Sequence, residues 1–231
     1  MNPPSNPFVY LASASPRRQE LLTQLGVRFE VLPVAVDEAV RPGEGSADLT
    51  CRLASAKARA GIALRRGPGI PVVAADTSVA LGAELFAKPR DQADAARILS
   101  RLSGRTHSVF TAVAVADEQR ERVELCHSEV TFRVLAPEEI AAYWRTGEPA
   151  DKAGAYAIQG RGAQFVAGLR GSYSGVMGLP LFETARLLTL FGCELWSCRA
   201  RERGNPHQPH VPGGARRRRR SSQLAPAHAR R

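Results

Sequence analysis

The sequence predicts a single α/β domain with an extended mixed β-sheet flanked by helices, and three observations carry that prediction. A short apolar segment, Phe8–Leu11, runs through a small-residue turn into a helical pattern. The continuous apolar run Ile70–Ala75 has the character of a strand covered on both faces. Two segments of strand composition, His107–Ala116 and Glu121–Val134, are joined by a turn at Asp117-Glu118. At 231 residues the chain has room for one sizeable domain, and its 44% apolar content suits a globular protein.

Taken in order, Ser13 to Ser15 form a turn after the first strand, and Pro16 suits the first turn of a helix, where its missing N–H costs nothing. That helix runs to Leu25 and stops at Gly26. Phe29–Val34 reads as a strand, with Asp37 and Glu38 in the loop beyond it. Ser46 to Leu64 reads as a helix with Leu49, Leu53, Ala56 and Ala60 on its apolar side; Lys57 lies one position from that stripe, where a lysine is ordinarily solvated. Arg65–Gly69 is a turn. Asp76 and Thr77 fall at the end of the Ile70–Ala75 strand, where open α/β sheets place ligands. Val79–Leu81 continues the strand, and Glu84–Ala87 returns as a hairpin that carries Lys88 back towards Asp76.

The later elements follow the same logic. Gln92–Leu102 is an amphipathic helix with Ala95, Ala96, Leu99 and Leu102 inward, closed by Ser103-Gly104. Pro137–Arg145 is a short helix closed by Gly147. The glycines of Ile158–Ala163 suggest a tight strand-to-strand loop that lets backbone approach a ligand. Phe165–Gly171 gives a last strand, Ser172–Ser174 a hydroxyl-rich loop, and Leu179–Phe191 the closing helix. His107 is read as structural, holding neighbouring backbone or carboxylate groups.

The net charge of +10 belongs mostly to one end. From Arg199 to Arg231 there are ten arginines against one acid, Glu202, a net +9 that leaves +1 for the rest. The domain is therefore assigned to residues 7–198 and an Arg-rich, disordered tail to 199–231. No apolar run approaches the roughly 20 residues that span a bilayer. The segment MNPPSNPF lacks a signal-peptide pattern, so a cytoplasmic protein is expected. The four cysteines lack zinc-type pairing and are read as reduced thiols.

The chemistry concentrates at the first helix. Its N-terminus has unpaired N–H groups and a positive dipole end, and Ser13, Ser15, Arg17 and Arg18 add two hydroxyls and two guanidiniums. The natural guest is a phosphate chain. By itself the segment is equally compatible with an N-capped helix bearing solvated arginines.

The order of motifs adds to this. The segment from Leu11 to Leu22 (LASASPRRQELL) is followed by VDE (Val36–Glu38), Lys57-Ala58, ADT (Ala75–Thr77) and AKP (Ala87–Pro89). Then come GRTHSVFTAVAV (Gly104–Val115), TGEPADKAGAYAIQGRGAQFV (Thr146–Val166) and GSYSGVMGLPL (Gly171–Leu181). This succession resembles the Maf family of nucleoside triphosphate pyrophosphatases, once described as septum-formation inhibitors. The resemblance implies a Maf/ITPase-like fold with the active-site cleft between two lobes, and commonly a homodimer. It implies that Asp76 acts as base or water-orienting group and that Glu38 and Asp76 hold a divalent cation, Mg2+ or Mn2+. Arg18, Lys57 and Lys88 would grip phosphates. Whether Asp76 is base or metal ligand stays open.

Within the resemblance, Arg17, Thr77 and Gln159 match the branch that acts on dTTP and UTP. A glutamine can offer both a donor and an acceptor to the O4/N3 edge of uracil or thymine. The sequence departs from the family at Gly175, where the family commonly has Asn, and at Met177; looser base selection is expected if that side chain reaches the nucleotide. Two other functions compete. A division regulator or nucleic-acid binder would work through the basic tail, although no aromatic residues interleave with its arginines as a stacking platform requires. A pyrophosphatase for inosine or xanthosine triphosphate would share the chemistry, but Gln159 and the arginine pair argue against it.

Overall fold

The computed structural model describes residues 8–195; the Arg-rich segment assigned to 199–231 lies outside the described residues. Strand β1 (Phe8–Leu11) leads to helix α1 (Pro16–Gln24), strand β2 (Arg28–Val31) and the long helix α2 (Ser46–Leu64). Strands β3 (Val72–Leu81) and β4 (Glu84–Phe86) form a hairpin before helix α3 (Gln92–Leu102). The longest strands, β5 (Thr106–Ala116) and β6 (Glu121–Phe132), precede helix α4 (Pro137–Trp144). Three 3-10 turns, strand β7 (Val166–Arg170) and helices α5 (Tyr173–Met177) and α6 (Leu181–Leu190) complete the described chain. The sheet is mixed, in the order β2-β1-β3-β5-β6-β7, with β4 paired to β3.

Register explains where a cleft can exist. One edge of β3 is bonded to β5 from Val72 to Ala80. The other edge pairs in parallel with β1 only at Val72 and Val73, and with β4 only at Val79–Leu81. Ala74–Ser78 therefore lies in a gap on that edge, and β3 continues unbroken across it. This corrects the expectation that Asp76 and Thr77 mark a strand end: they sit mid-strand, in a ten-residue element.

Alternation along β3 and β5 sends successive side chains to opposite faces. Val73, Ala75, Val113 and Val115 pack against Leu21 and Leu22 of α1 and Leu187 and Leu188 of α6. Val72, Ala74, Ala112 and Ala114 pack against Ala54 and Ala58 of α2. At the far ends of the strands a second lobe forms around α3 and α4, where Ile98, Leu99, Phe132, Ile140, Tyr143 and Phe165 share one core. Each fully buried leucine or phenylalanine contributes about 1.5–3 kcal/mol relative to exposure.

The α2 stripe differs from expectation. The buried positions are Leu49, Thr50, Leu53, Ala54, Ala58 and Gly61, whereas Ala56 and Ala60 are only half-buried. The helix turns its smallest residues to an alanine-lined sheet face because that allows the closest approach. A Cβ on Gly61 would lie 2.6 Å from Val72 Cγ1 and 3.0 Å from Ala12 Cβ. Strand β2 is also shorter than expected, ending at Val31, and β6 ends at Phe132. Ile158–Ala163 is no strand-to-strand loop but a turn at Ile158-Gln159, a bend at Gly160 and the start of the 3-10 turn Arg161–Phe165, and Ser172 caps α5 by accepting from the Gly175 N–H.

His107 is structural, but its partner is neither backbone nor carboxylate. It is 2% exposed, with Nε2 2.9 Å from the Tyr156 hydroxyl and its ring edge-on to Phe132. Nδ1 has no hydrogen-bond partner among the described residues. Burial pushes its pKa down to about 4 from 6.5. The unfolded chain therefore binds this proton more readily. The neutral ring's contribution is complete above about pH 6.5 and is lost as pH falls towards about 4, roughly 3 kcal/mol in all. Urea denaturation at pH 7 and pH 4 should show this loss, and His107→Gln should remove most of that pH dependence.

Candidate active site

A cleft of about 880 Å³ opens over the β3 gap and is lined from both lobes. Ser13, Ser15, Arg17, Arg18, Glu38 and Lys57 enter from the α1–α2 side, and Lys88 and Gln159 from the other. Asp76 and Thr77 form its floor. These ten candidate site residues thus meet at one place.

On the α2 face of β3, Lys57 stands between two carboxylates. Its Nζ is 2.6 Å from Asp76 Oδ1 and 2.7 Å from Glu38 Oε1. The Lys57 and Asp76 side chains are 12% and 11% exposed, while Glu38, on the loop after β2, is 58% exposed. The hydrogen bond from Lys57 holds the Glu38 carboxyl below its ordinary range, with Lys88 and Arg18 adding to the effect against a cost from burial. The helical-lysine expectation of solvation does not hold, because the Gly61 contact draws α2 tight against β3. Two turns earlier on α2, the buried Thr50 hydroxyl lies 2.6 Å from the Ser46 carbonyl, to which its one proton goes, and 2.7 Å from Ser78 Oγ, so it accepts from Ser78 and rivets the same interface.

On the opposite face, Arg18 is fixed at the start of α1. Its Nε donates to the Gly178 carbonyl at 2.8 Å, Nη1 to Ser13 Oγ at 3.3 Å and Nη2 to Thr77 Oγ1 at 3.4 Å. Thr111 Oγ1 lies 2.7 Å from the Gly175 carbonyl and 3.0 Å from Thr77 Oγ1. The single Thr111 proton serves the carbonyl, so the Thr77 hydroxyl is oriented between Thr111 and Arg18. Burial lowers the Arg18 pKa, with Asp76 opposing, but a guanidinium remains charged. Ser15 occupies the N-cap with extended backbone, yet its hydroxyl makes no capping bond. The first-turn N–H groups are thus left facing the cleft side of Arg17 and Arg18, where an anion is stabilised.

Two cleft residues were not anticipated. Asp151 receives Arg17 Nη1 at 3.4 Å and also pairs with Lys152. Both line the cleft, and both stand inside the TGEPADKAG segment, where an acid beside a lysine was the available signal. Gly175, by contrast, does not line it: a Cβ there would meet Cys126 Sγ at 3.1 Å and the Ser172 side chain. The expectation that a side chain at this position bears on base selection is therefore not supported. Three carboxylates line the cleft, Glu38, Asp76 and Asp151, and Glu38 and Asp76 share the Lys57 ammonium; no group of three His, Cys, Asp or Glu side chains converges among the described residues.

Residues 8–191 match the family described as Maf-like protein. The chain belongs to the Maf family. A dTTP/UTP pyrophosphatase of Aromatoleum aromaticum is 51% identical over 199 residues, covering 81% of this chain and 97% of that protein. A dTTP/UTP pyrophosphatase of Yersinia pestis is 53% identical over 183 residues, covering 79% and 92%. Among solved structures, the Staphylococcus aureus Ham1 protein overlaps with a TM-score of 0.35 at 12% identity, over 54% of this chain and 71% of that one. In this Maf-family chain no described helix is long and apolar enough to cross a membrane.

The close α2–β3 approach should be measurable. Gly61→Val places its Cβ inside contact distance of Val72 and Ala12, forcing α2, and Lys57 with it, off the sheet. The expected cost is about 1–3 kcal/mol, read as a lower urea midpoint, and an unchanged midpoint would show that α2 yields freely.

Proposed function

We propose that this protein hydrolyses nucleoside triphosphates between the α and β phosphates, giving nucleoside monophosphate and pyrophosphate, with dTTP and UTP preferred. The observation that supports this reading best is the convergence, in one cleft, of the Lys57–Glu38–Asp76 cluster and the Arg18-bearing start of α1. The names of the relatives at 51% and 53% identity point the same way.

In this reading the triphosphate lies along the N-terminus of α1, held by Ser13, Ser15, Arg17 and Arg18. A water oxygen bonds to the α phosphorus as the bond to the α–β bridging oxygen breaks, and the bridging oxygen leaves with pyrophosphate. Asp76 orients that water and accepts its proton, directly or through solvent. Charge gathers on the leaving oxygens, and Arg17, Arg18, Lys57 and Lys88 neutralise it in a site already shaped for it. Two carboxylates suit Mg2+ or Mn2+, which completes its shell with phosphate oxygens and water, so Glu38 and Asp76 would hold the cation. When bound, it supplies further charge neutralisation at the phosphates. Gln159, exposed on the opposite wall, reads the O4/N3 edge of the pyrimidine.

The reading carries a homodimer and a cytoplasmic location as expectations, the former tested by light scattering on the purified chain. The basic tail has no part in this chemistry, so deletion of Arg199–Arg231 should leave turnover intact; loss of activity would favour the nucleic-acid-binding alternative. The deciding assay is pyrophosphate release with Mg2+ or Mn2+ across dTTP, UTP, CTP, ATP, GTP, 7-methyl-GTP and ITP. Preferential release from dTTP and UTP is expected. Asp76→Asn should lower kcat by about 100-fold or more, on the scale of a general base. If that variant still binds UTP but no longer responds to metal, its main role is as ligand. Gln159→Glu should weaken UTP turnover, and wild-type UTP kinetics in that variant would count against the base assignment.

A further inference from the structure

The wall that carries Gln159 has no regular secondary structure of its own, yet its backbone is tied down by two side chains that do not line the cleft. Tyr143, on α4, is 3% exposed. Its hydroxyl donates to Glu148 Oε1 at 2.6 Å and accepts from the Ala157 N–H at 3.1 Å. Glu148 Oε1 also accepts from the Gly162 N–H at 3.0 Å, and Oε2 accepts from the Arg161 N–H at 2.9 Å. Three backbone N–H groups, at 157, 161 and 162, therefore end on one phenol–carboxylate pair. They bracket Gln159 on both sides.

Packing reinforces the bonds. A Cβ on Gly160 would run into the Glu148 carboxylate, and one on Gly162 would lie 2.7 Å from the Tyr143 oxygen. The glycines are there so that the loop can wrap the carboxylate closely. Burial raises the Glu148 pKa, but the bonds from Tyr143, Gly162 and Arg161 outweigh it and hold the group ionised. Burial and then Glu148 push the Tyr143 phenol up, so it stays a donor.

We propose that Tyr143 and Glu148 are positioning residues for nucleobase selection, acting through the loop that presents Gln159 to the cleft. The inference rests on the reading of Gln159 as the base-contacting residue. A flexible glutamine can satisfy many base edges, because its amide can move and rotate. It discriminates only if its backbone is held, and here the backbone is held after Gln159 by charge-assisted bonds to the Glu148 carboxylate and before it by the phenol bonded to that carboxylate.

The test is a double-mutant cycle on the full chain, measuring kcat/KM for UTP, CTP and GTP in wild type, Tyr143→Phe, Glu148→Gln, Gln159→Ala and the Tyr143→Phe/Gln159→Ala double variant. Tyr143→Phe should reduce the preference for UTP over CTP and GTP by about tenfold, the scale of one buried hydrogen bond, and chiefly through KM for UTP. Glu148→Gln, which keeps the shape but presents an amide N–H where an acceptor is needed, should do the same. In the Gln159→Ala background Tyr143→Phe should change selectivity by less than about twofold, because the residue it acts through is gone. A simple loss of stability would lower turnover of every substrate alike and would add to Gln159→Ala. Wild-type selectivity in both Tyr143→Phe and Glu148→Gln, or full additivity with Gln159→Ala, overturns the inference alone. A wild-type protein that turns over the three nucleotides alike, or Gln159→Ala with unchanged selectivity, overturns the base reading and this inference together.

Discussion

A β-strand has two edges, and the way β3 divides one of them between two partners sets the rest of this molecule. Strand β1 covers its first two residues and β4 its last three, while the stretch between is left without a neighbour on that side. A polar sequence can persist there because the other edge is fully bonded to β5. The pleat then sends Asp76 and Ser78 to the α2 face and Thr77 to the α1 face. One three-residue span thereby delivers a carboxylate to a lysine–glutamate pair and a hydroxyl to an arginine, on opposite sides of the same floor. The two half-sites need no loop of their own to stay in register.

The electrostatics follow from this placement. Lys57 is held where two carboxylates reach it, and Arg18 where a carbonyl and two hydroxyls do, so neither cation is free to seek solvent. Arg17 is different: its contact is the exposed Asp151, itself shared with Lys152, and such a pair is weak in water. The cleft therefore combines a rigid inner set of charges with an outer pair that an anion can replace at little cost.

Much of the order of elements was legible in the residues, because Pro16 and Gly26 bound α1, and α3 has apolar positions at helical spacing and a Ser103-Gly104 stop. The continuity of β3 through Asp76–Ser78 was not, although Val79–Leu81 reads as more of the same strand and the strand does end at Leu81. Asp76 and Ser78 look like an exit from an apolar strand, and only the Lys57 and Thr50 side chains of α2 make them tolerable inside one. The inner face of α2 was misjudged for a related reason. Apolar size draws attention to Ala56 and Ala60, whereas the sheet opposite is so rich in alanine that Gly61 sets the contact. The glycine loop near Gln159 was read from its composition, but its shape comes from Glu148, which lies earlier in the chain and bonds to it only once folded. The residues that share the cleft sit in short motifs whose order matches a family, which is why they are legible; their mutual distances are beyond any reading of spacing.

The long strands have a mechanical meaning. β5 and β6 run eleven and twelve residues, about 37–41 Å at the usual rise, and together with β3 pass through the cores of both lobes. Enzymes that swallow their substrates by hinge bending need a thin, pliable connection between two bodies. Here the connection is a three-strand plank, stiff along its length and buttressed on both sides. The jaws of this cleft are bolted to one beam. Nucleotide entry and product escape then fall to side chains and short turns at the rim, and the distance between the wall that carries Arg18 and the wall that carries Gln159 is built in before any nucleotide arrives.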